Sequence, residues 1–370
     1  MAAAPSRSPE LGRYRLGLRR HPGLAIQLER DPGPDCRLDQ RGPARPGPGH
    51  RGIESHPALP APAGSPHARV TTSHHDRPGM IEQALTFYDS LGHRSSGVLA
   101  EPDRPTDRLV VLCHGFLSNK NSTTNKVLTA QLVEQDIATL RFDFFGQGES
   151  QGPFERITVS IALAQALAAL DLAASKGHRR IGLIGSSFGG LVAILAAAQW
   201  SHPPAPGAIA PTRPEPAKPG SCPEGRAPSR ALACLGLKCP VPDFEEMLRL
   251  EFGPEGIAEW KRTGTIPDVT GRHDRVKLHF AFCEDCARHK GYEAASAVAA
   301  PTVIVQGDQD EYVPLHQSQR LMESLTTEKA LHVLPGADHG FSKGDDFRRM
   351  TTLLIDWMVT HLPADAGARR

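Results

Sequence analysis

A short turn rich in glycine and serine, Gly185-Ser186-Ser187-Phe188-Gly189, joins an apolar strand pattern to an alanine-rich helix pattern. The strand is predicted over Arg180–Ile184 and the helix over Phe188–Gln199. Such an abrupt change of direction requires small residues, because the strand and helix backbones approach closely at the turn. A buried strand followed at once by a helix is typical of parallel sheets, so this segment favours the α/β class.

Strand and helix patterns alternate over most of the chain after residue 80, beginning with two strands joined by a turn at Ser90–His93. The predicted strands are Ala84–Tyr88, Ser96–Ala100, Arg108–Cys113, Ile137–Phe142, Arg180–Ile184, one within Ala231–Cys239, Thr302–Val305 and Leu331–Leu334. The predicted helices of the core are Thr123–Glu134, about Ser160–Ser175, Phe188–Gln199, His316–Leu325 and Phe347–Leu362. We therefore predict a mostly parallel central sheet flanked by helices over residues 80–370.

Three regions depart from this alternation. Residues 1–79 are rich in Pro, Gly, Ala and Arg and show no apolar periodicity, so they are predicted to be a disordered arm. Residues 202–230 carry nine prolines and are predicted to be an inserted, disordered segment. Residues 242–296 contain helical patterns at Asp243–Phe252, Gly256–Thr263 and Val276–Arg288, and we expect them to form a helical cap.

Composition argues against several classes of function. Lys and Arg total 42 and Asp and Glu total 41, which gives no electrostatic reason to expect a nucleic-acid or membrane partner. The seven cysteines are odd in number and irregularly spaced, so free thiols and a cytoplasmic location are expected. Cys283-Glu-Asp-Cys286 lacks a second pair with ligand spacing, so neither a metal nor another cofactor is expected. The sequence does not indicate an oligomeric state.

Ser187 is the candidate nucleophile, because it is centred between Gly185 and Gly189 on the sharp turn. A serine hydroxyl needs a base and an acid that orients this base, and in such folds they follow in the order serine, acid, histidine. Asp310 lies in a carboxylate-rich turn after one predicted strand, and His339 lies in the loop after the next. Asp308 and Glu311 compete with Asp310 for the role of the acid, whereas His332 lies within a strand and is expected to be structural.

The sequence Cys113-His114-Gly115-Phe116 directly follows a buried strand and is the candidate oxyanion loop. The two donors would be the backbone N–H groups of Phe116 and of Phe188, the residue after the nucleophile. His114 is expected to hydrogen-bond to the loop backbone rather than to take part in chemistry.

Three motifs carry a family resemblance: His114–Asn121, Arg141–Ser150 and the turn Gly185–Gly189. They resemble the α/β-hydrolase superfamily, and more narrowly the bacterial cinnamoyl/feruloyl esterase and serine-aminopeptidase-like branch, which overlaps with dienelactone-hydrolase-like proteins. The resemblance covers roughly residues 82–200 and 297–362, and it implies the same nucleophile, acid, base and oxyanion donors. Asp143, Gly146 and Gly148 match a structural loop of the superfamily. Ser186 and Phe188 differ from the His and the Gln or Met that many relatives carry beside the nucleophile.

The leading hypothesis is a serine hydrolase that cleaves small carboxylic esters through an acyl-Ser187 intermediate. Phe116, Phe188 and Tyr312 could line an apolar pocket for the acyl group. An aminopeptidase or amidase that acts on short peptides is the second hypothesis; it would require acidic groups such as Glu245, Glu246 or Glu251 to hold the substrate amine. The third is a hydrolase-like protein that binds a ligand without catalysis.

Overall fold

The computed structural model describes residues 79–200, 231–266 and 277–364. Residues 1–78 of the predicted arm and the whole predicted insertion 202–230 lie outside the described residues. Within the described ranges, every strand and core helix predicted from the sequence is present, and most bounds shift by one to four residues.

The strands form one large sheet and one two-stranded sheet. They are β1 (Met80–Tyr88), β2 (Arg94–Pro102), β3 (Arg108–Cys113), β4 (Ala138–Phe142), β5 (Arg180–Ser186), β6 (Cys234–Lys238), β7 (Thr265–Ile266), β8 (Leu278–His279), β9 (Thr302–Gly307) and β10 (Lys329–Leu334). The large sheet has eight strands in the order β1-β2-β4-β3-β5-β6-β9-β10. Only β1 with β2 and β2 with β4 pair antiparallel, while the other neighbours are parallel. This arrangement confirms the predicted α/β-hydrolase architecture.

Eight helices accompany the strands in the part of the chain that the structure describes, together with a short 3-10 turn at Phe154–Arg156. They are α1 (Thr123–Glu134), α2 (Val159–Ser175), α3 (Phe188–Trp200), α4 (Phe244–Thr263), α5 (Ala281–Cys286), α6 (Gly291–Ala295), α7 (Leu315–Ser324) and α8 (Asp346–His361). Helices α2 and α3 contribute to the apolar cluster on one face of the sheet, and α1 and α8 to the cluster on the other. The central strand β3 is therefore buried at all six positions.

The predicted helix over Val276–Arg288 is wrong in part. Leu278–His279 pairs as a strand with Thr265–Ile266, so the helix begins only at Ala281 and ends at Cys286. The first residue of the predicted helix, Val276, lies outside the described residues. Pairing with a distant segment decided the conformation here, and an apolar run alone does not reveal such pairing.

The two predicted helices Asp243–Phe252 and Gly256–Thr263 are joined as α4 across a kink. Gly253 takes a φ of 61° and Pro254 follows it, so the backbone breaks helical geometry at this point. Asp243 caps the helix, because its carboxylate accepts a hydrogen bond from the Glu246 N–H.

The described segments on either side of the predicted insertion stop at the same end of the sheet, where the parallel strands begin. Helix α3 starts at the carboxyl end of β5 and ends at Trp200, while β6 starts at Cys234, at the amino end of its strand. Strand β6 is paired in register with β5 and β9, so the core sheet is continuous across this position. None of the described helices is long and apolar enough to cross a membrane.

Candidate active site

Ser187 lies on a strained turn between β5 and α3. Its φ is 51°, in the left-handed region that is costly for a residue with a side chain. Two glycines permit the turn: a Cβ on Gly185 would lie 2.3 Å from the Gly189 carbonyl oxygen, and a Cβ on Gly189 would lie 2.4 Å from the Cys113 carbonyl oxygen. The close packing of strand and helix agrees with the sharp strand–helix turn that the sequence pattern predicts around Ser187.

Asp310 and His339 are in direct contact at the carboxyl ends of two neighbouring strands, β9 and β10. The His339 Nδ1 lies 2.8 Å from Asp310 Oδ2 and 3.0 Å from Oδ1. The Asp310 Oδ1 also accepts hydrogen bonds from the backbone N–H groups of Tyr312, at 3.0 Å, and Val313, at 2.8 Å. Burial by itself raises the pKa of Asp310, but these hydrogen bonds, chiefly that from His339, outweigh it and lower the pKa below its ordinary value.

The two other candidate acids have different partners. Asp308 Oδ1 accepts a hydrogen bond from the backbone N–H of Gly336. Glu311 Oε2 accepts one from the backbone N–H of His339, at 3.2 Å, and is not recorded in contact with the imidazole ring. His332 lies within β10, opposite Val305, and not in the loop beyond the strand end.

Lys238 connects the Ser187 turn to the His339 loop. The Ser187 backbone N–H donates to the Lys238 carbonyl oxygen at 2.8 Å, and the Lys238 Nζ donates to the His339 carbonyl oxygen at 2.9 Å. The Lys238 side chain is buried and its ammonium lies 5.2 Å from the centre of the Phe341 ring. Lys238 was not predicted from the sequence as part of the site, although a lysine that ends an otherwise apolar strand is a detectable signal; this strand, β6, pairs with β5.

The loop after β3 lies against the Ser187 turn. A Cβ on Gly115 would be 3.5 Å from the Ser187 Cβ. His114 holds this loop: its Nε2 accepts from the Phe144 N–H at 3.1 Å, so Nδ1 carries the proton and donates to the Gly115 carbonyl oxygen at 2.8 Å. Burial lowers the pKa of His114 to about 4, which keeps this tautomer neutral. The geometry agrees with the predicted structural role of His114.

The two predicted oxyanion residues lie side by side. Phe188 is the first residue of α3, and the first N–H groups of a helix have no partner within it. The rings of Phe116 and Phe188 are 5.4 Å apart, and Phe116 also contacts Phe244 at 5.9 Å and Phe282 at 5.3 Å. The four rings form an aromatic wall, to which Phe244 and Phe282 contribute from the segment between β6 and β9.

Asp143 anchors the neighbouring loop. Its buried carboxylate accepts from the Lys120 Nζ at 2.6 Å and from the Glu149 N–H at 2.8 Å. A Cβ on Gly148 would overlap the Asp143 carboxylate, at 2.2 Å. These contacts hold the backbone of this loop in place, in keeping with the structural motif that the sequence indicates.

The cysteines resolved by the structure are free thiols, including the buried pair Cys283 and Cys286 on α5. Among the described residues, one group has the donor atoms that a metal ion requires: Cys239, Asp310 and His339, whose ligand atoms lie within 4.8 Å of one another. Cys239 directly follows β6 and was not singled out as part of the site from the sequence.

Comparison with known proteins agrees with this architecture. The chain is 24% identical over 290 residues to a 31.7 kDa protein of the traX-finO intergenic region of Escherichia coli, covering 69% of this chain and 91% of that protein. It is 21% identical to the mitochondrial palmitoyl-protein thioesterase ABHD10 of Bos taurus, covering 74% and 84%. Est1E from Butyrivibrio proteoclasticus, solved with ferulic acid, superposes with a TM-score of 0.59 at 23% identity, covering 74% of this chain and 97% of Est1E.

A family model described as the alpha/beta hydrolase family matches residues 110–349. The match begins in β3 and ends in α8, so it includes the Ser187 turn and the loops that carry Asp310 and His339. Because it spans well over half of the sequence, this chain belongs to the alpha/beta hydrolase family.

Proposed function

We propose that the protein is a serine hydrolase that cleaves carboxylic esters of small molecules through an acyl-Ser187 intermediate. The observation that carries the proposal is the contact of the Asp310 carboxylate with His339 Nδ1, in a loop that Lys238 links by hydrogen bonds to the strained turn of Ser187. A carboxylate on Nδ1 fixes the tautomer whose Nε2 accepts a proton, which a serine nucleophile requires.

In the proposed reaction, His339 Nε2 takes the Ser187 hydroxyl proton as the oxygen attacks the ester carbonyl. Asp310 stabilises the imidazolium that forms, and the backbone N–H groups of Phe116 and Phe188 stabilise the negative oxygen. The intermediate then collapses, the C–O bond to the alcohol breaks, and His339 returns the proton to the leaving oxygen. Water, activated by the same imidazole, hydrolyses the acyl-enzyme and restores Ser187.

Two observations support an ester with an apolar acyl group. Phe116 and Phe244 are partly exposed and pack on the fully buried rings of Phe188 and Phe282, so they offer aromatic surface next to the proposed oxyanion donors. Among similar proteins, one is named a palmitoyl-protein thioesterase and another was solved with ferulic acid. Ester or thioester cleavage by acyl transfer to a serine is the chemistry that such a site performs best.

An aminopeptidase activity is the second candidate. It requires a carboxylate near the site that binds the substrate amine, and Glu251 is the candidate for this role. Glu245 pairs with Arg249 and Lys290, and Glu246 contacts His316, so both carboxylates are engaged within the fold. Burial, then Glu311, Asp310 and Glu251, raise the pKa of the Tyr312 phenol, so the Glu251 carboxylate acts electrostatically on the ring that contacts His339. A negative charge near the ring that contacts His339 could hold a substrate amine.

A fluorophosphonate probe tests the proposal, since it reacts only with an activated serine. The intact protein is expected to be labelled at Ser187, as located by peptide mass spectrometry, whereas Ser187→Ala should not be labelled. Ser186→Ala is the matched control on the same turn. It should remain labelled, because it leaves the proposed nucleophile Ser187 intact. A folded protein that is never labelled would favour a binding role and contradict the proposal.

A substrate panel then separates the two candidates. Short-chain aryl esters, hydroxycinnamate esters and acyl thioesters are compared with aminoacyl anilides, each with the wild type and Glu251→Gln. Ester or thioester turnover that Glu251→Gln leaves intact supports the leading proposal. Preferred cleavage of aminoacyl anilides, lost in Glu251→Gln, would support the peptidase instead.

A further inference from the structure

Three side chains with different metal-binding atoms converge behind the proposed catalytic histidine. The Cys239 thiol, the Asp310 carboxylate and His339 Nδ1 present ligand atoms that lie within 4.8 Å of one another. The Cys239 thiol donates to the His339 carbonyl oxygen at 3.8 Å, and His339 Nδ1 contacts the Asp310 carboxylate at 2.8 Å. The three side chains therefore form one contiguous group around the His339 loop.

We propose that Cys239, Asp310 and His339 form an inhibitory binding site for Zn²⁺. Sulfur, imidazole nitrogen and carboxylate oxygen are the ligands that Zn²⁺ takes, at bond lengths of about 2.3, 2.0 and 2.1 Å. Tetrahedral geometry with these bonds separates the ligand atoms by roughly 3.3–3.6 Å, so small shifts of the side chains suffice. Three protein ligands leave a fourth position for water.

The proton balance of binding follows from the tautomer. Zn²⁺ displaces the proton of the Cys239 thiol to solvent and binds the thiolate. It also takes the lone pair of His339 Nδ1, and the proton of that atom is transferred to Nε2, so the imidazole stays neutral and one proton is released in total. With Nε2 protonated, His339 cannot accept the Ser187 proton, and the proposed esterase reaction stops. This effect on turnover rests on the proposed function, whereas the binding itself does not.

Charge and burial around Cys239 set the selectivity. The Cys239 side chain is fully buried, and the ammonium of the preceding Lys238 donates to the His339 carbonyl oxygen at 2.9 Å. This positive charge opposes the binding of a second cation. A cation that gains little from sulfur, such as Mg²⁺, cannot offset this opposition, whereas Zn²⁺ can. The ion would approach along His339, whose side chain is 19% exposed while that of Asp310 is 1% exposed.

Direct binding is tested with Co²⁺, which takes zinc sites and absorbs light when bound to sulfur. The full chain is titrated with Co²⁺, and a sulfur-to-cobalt charge-transfer band that Zn²⁺ removes is expected. The band should be absent in Cys239→Ser and in Cys239→Ala. It should be retained in the control Cys283→Ser/Cys286→Ser, which removes two thiols that lie outside the proposed site. An unchanged band in both Cys239 variants, or no band in the wild type, overturns the proposal.

Inhibition is measured on a short-chain aryl ester, with each variant compared with its own rate in the presence of a chelator. Zn²⁺ should inhibit the wild type reversibly, Mg²⁺ should not, and Cys239→Ala should raise the inhibition constant at least about tenfold, since loss of even an outer partner of a metal site costs that much. Equal inhibition of wild type and Cys239→Ala overturns the proposal. A protein that hydrolyses none of the esters contradicts the proposed function, and the cobalt band still decides whether the site exists.

Discussion

Two groups of serine, histidine and aspartate among the described residues, the proposed catalytic cluster and a second one, differ in one decisive respect of their geometry. Besides Ser187, His339 and Asp310, a second cluster joins Ser160 at the start of α2 to Asp285 and His289 near α5. The Ser160 hydroxyl donates to Asp285 Oδ1 at 2.7 Å and lies 2.9 Å from His289 Nε2. Asp285 Oδ2 lies 3.4 Å from the same Nε2, and it also accepts the Ser160 backbone N–H at 2.7 Å.

In the second cluster the aspartate and the serine both contact one nitrogen of the histidine. The Ser160 proton goes to the carboxylate, so His289 Nε2 donates to the serine oxygen and cannot act as its base. Ser160 also lies in a regular first helical turn, whereas Ser187 has a left-handed φ. Asp285 instead accepts the N–H of Ser160 in the first turn of α2, whose N-cap is Thr158, and so ties α2 to α5, whose Phe282 packs in the aromatic wall. Residue types alone therefore do not define a catalytic site; the nitrogen that the acid contacts does.

Replacement of each of the two histidines by alanine should give the largest contrast between the clusters. His339→Ala is expected to lower turnover of an aryl ester by roughly 10⁴- to 10⁶-fold, because Ser187 loses its base. His289→Ala should stay within a few-fold of the wild type. Steady-state kinetics of both variants check this, and a comparable loss in His289→Ala would show that the second cluster takes part in catalysis.

Replacement of the aspartates separates catalysis from stability. Asp310→Asn should lower kcat by roughly 10⁴-fold, because the amide no longer selects the required tautomer of His339. Asp285→Asn should leave kcat within a few-fold and lower the thermal midpoint, since the first turn of α2 loses the negative charge that its N–H and hydroxyl groups contact. The idea fails if Asp310→Asn stays active, or if Asp285→Asn loses activity while its thermal midpoint is unchanged.

Lys238 offers a smaller test of how the first cluster is held. Lys238→Met removes the hydrogen bond to the His339 carbonyl oxygen, and we expect kcat to fall about tenfold, equivalent to about 1.4 kcal/mol, with little change in KM. Lys290→Met is the matched control beside the second cluster, since Lys290 pairs with Glu245 at the surface. Partial recovery of kcat in Lys238→Arg would support a positioning role, whereas a rise in KM alone would contradict it.

The smallest effect concerns acid stability. Burial by itself raises the pKa of Asp285, but hydrogen bonds from His289 and Ser160 outweigh it and lower the pKa to about 2. A carboxylate with a lowered pKa stabilises the fold fully above about pH 4 and loses this contribution as the pH falls through about 2. The difference in free energy of unfolding between wild type and Asp285→Asn should therefore shrink as the pH falls from 6 to 3. Denaturant titrations measure it, and a pH-independent difference would refute the assignment.

The sequence was sufficient for the features that depend on local pattern. Strand β3 is apolar at five of six positions, and the Gly185–Gly189 turn has the small residues that its close packing demands. These patterns predicted the sheet, and they placed Ser187, Asp310 and His339 at the ends of strands, where the structure brings Asp310 and His339 into contact.

Contacts between distant parts of the chain were beyond sequence reasoning. The hydrogen bond from Lys238 to His339 spans 101 positions, and that from Ser160 to Asp285 spans 125. The pairing of Thr265–Ile266 with Leu278–His279 likewise replaced part of a predicted helix. Each depends on where the sheet places two segments in space, and no periodicity within either segment records it.

The position of the end of α3 and the start of β6, at the amino ends of the parallel strands, has a practical consequence. Trp200 and Cys234 lie at the amino ends of the parallel strands, whereas Ser187 lies at their carboxyl ends. A fluorescent dye or a solid support attached at Ala231, an exposed residue just before β6, would thus be joined to the end of the sheet remote from the proposed chemistry. Immobilised in this way, the protein would present the end with the proposed site to the surrounding solution.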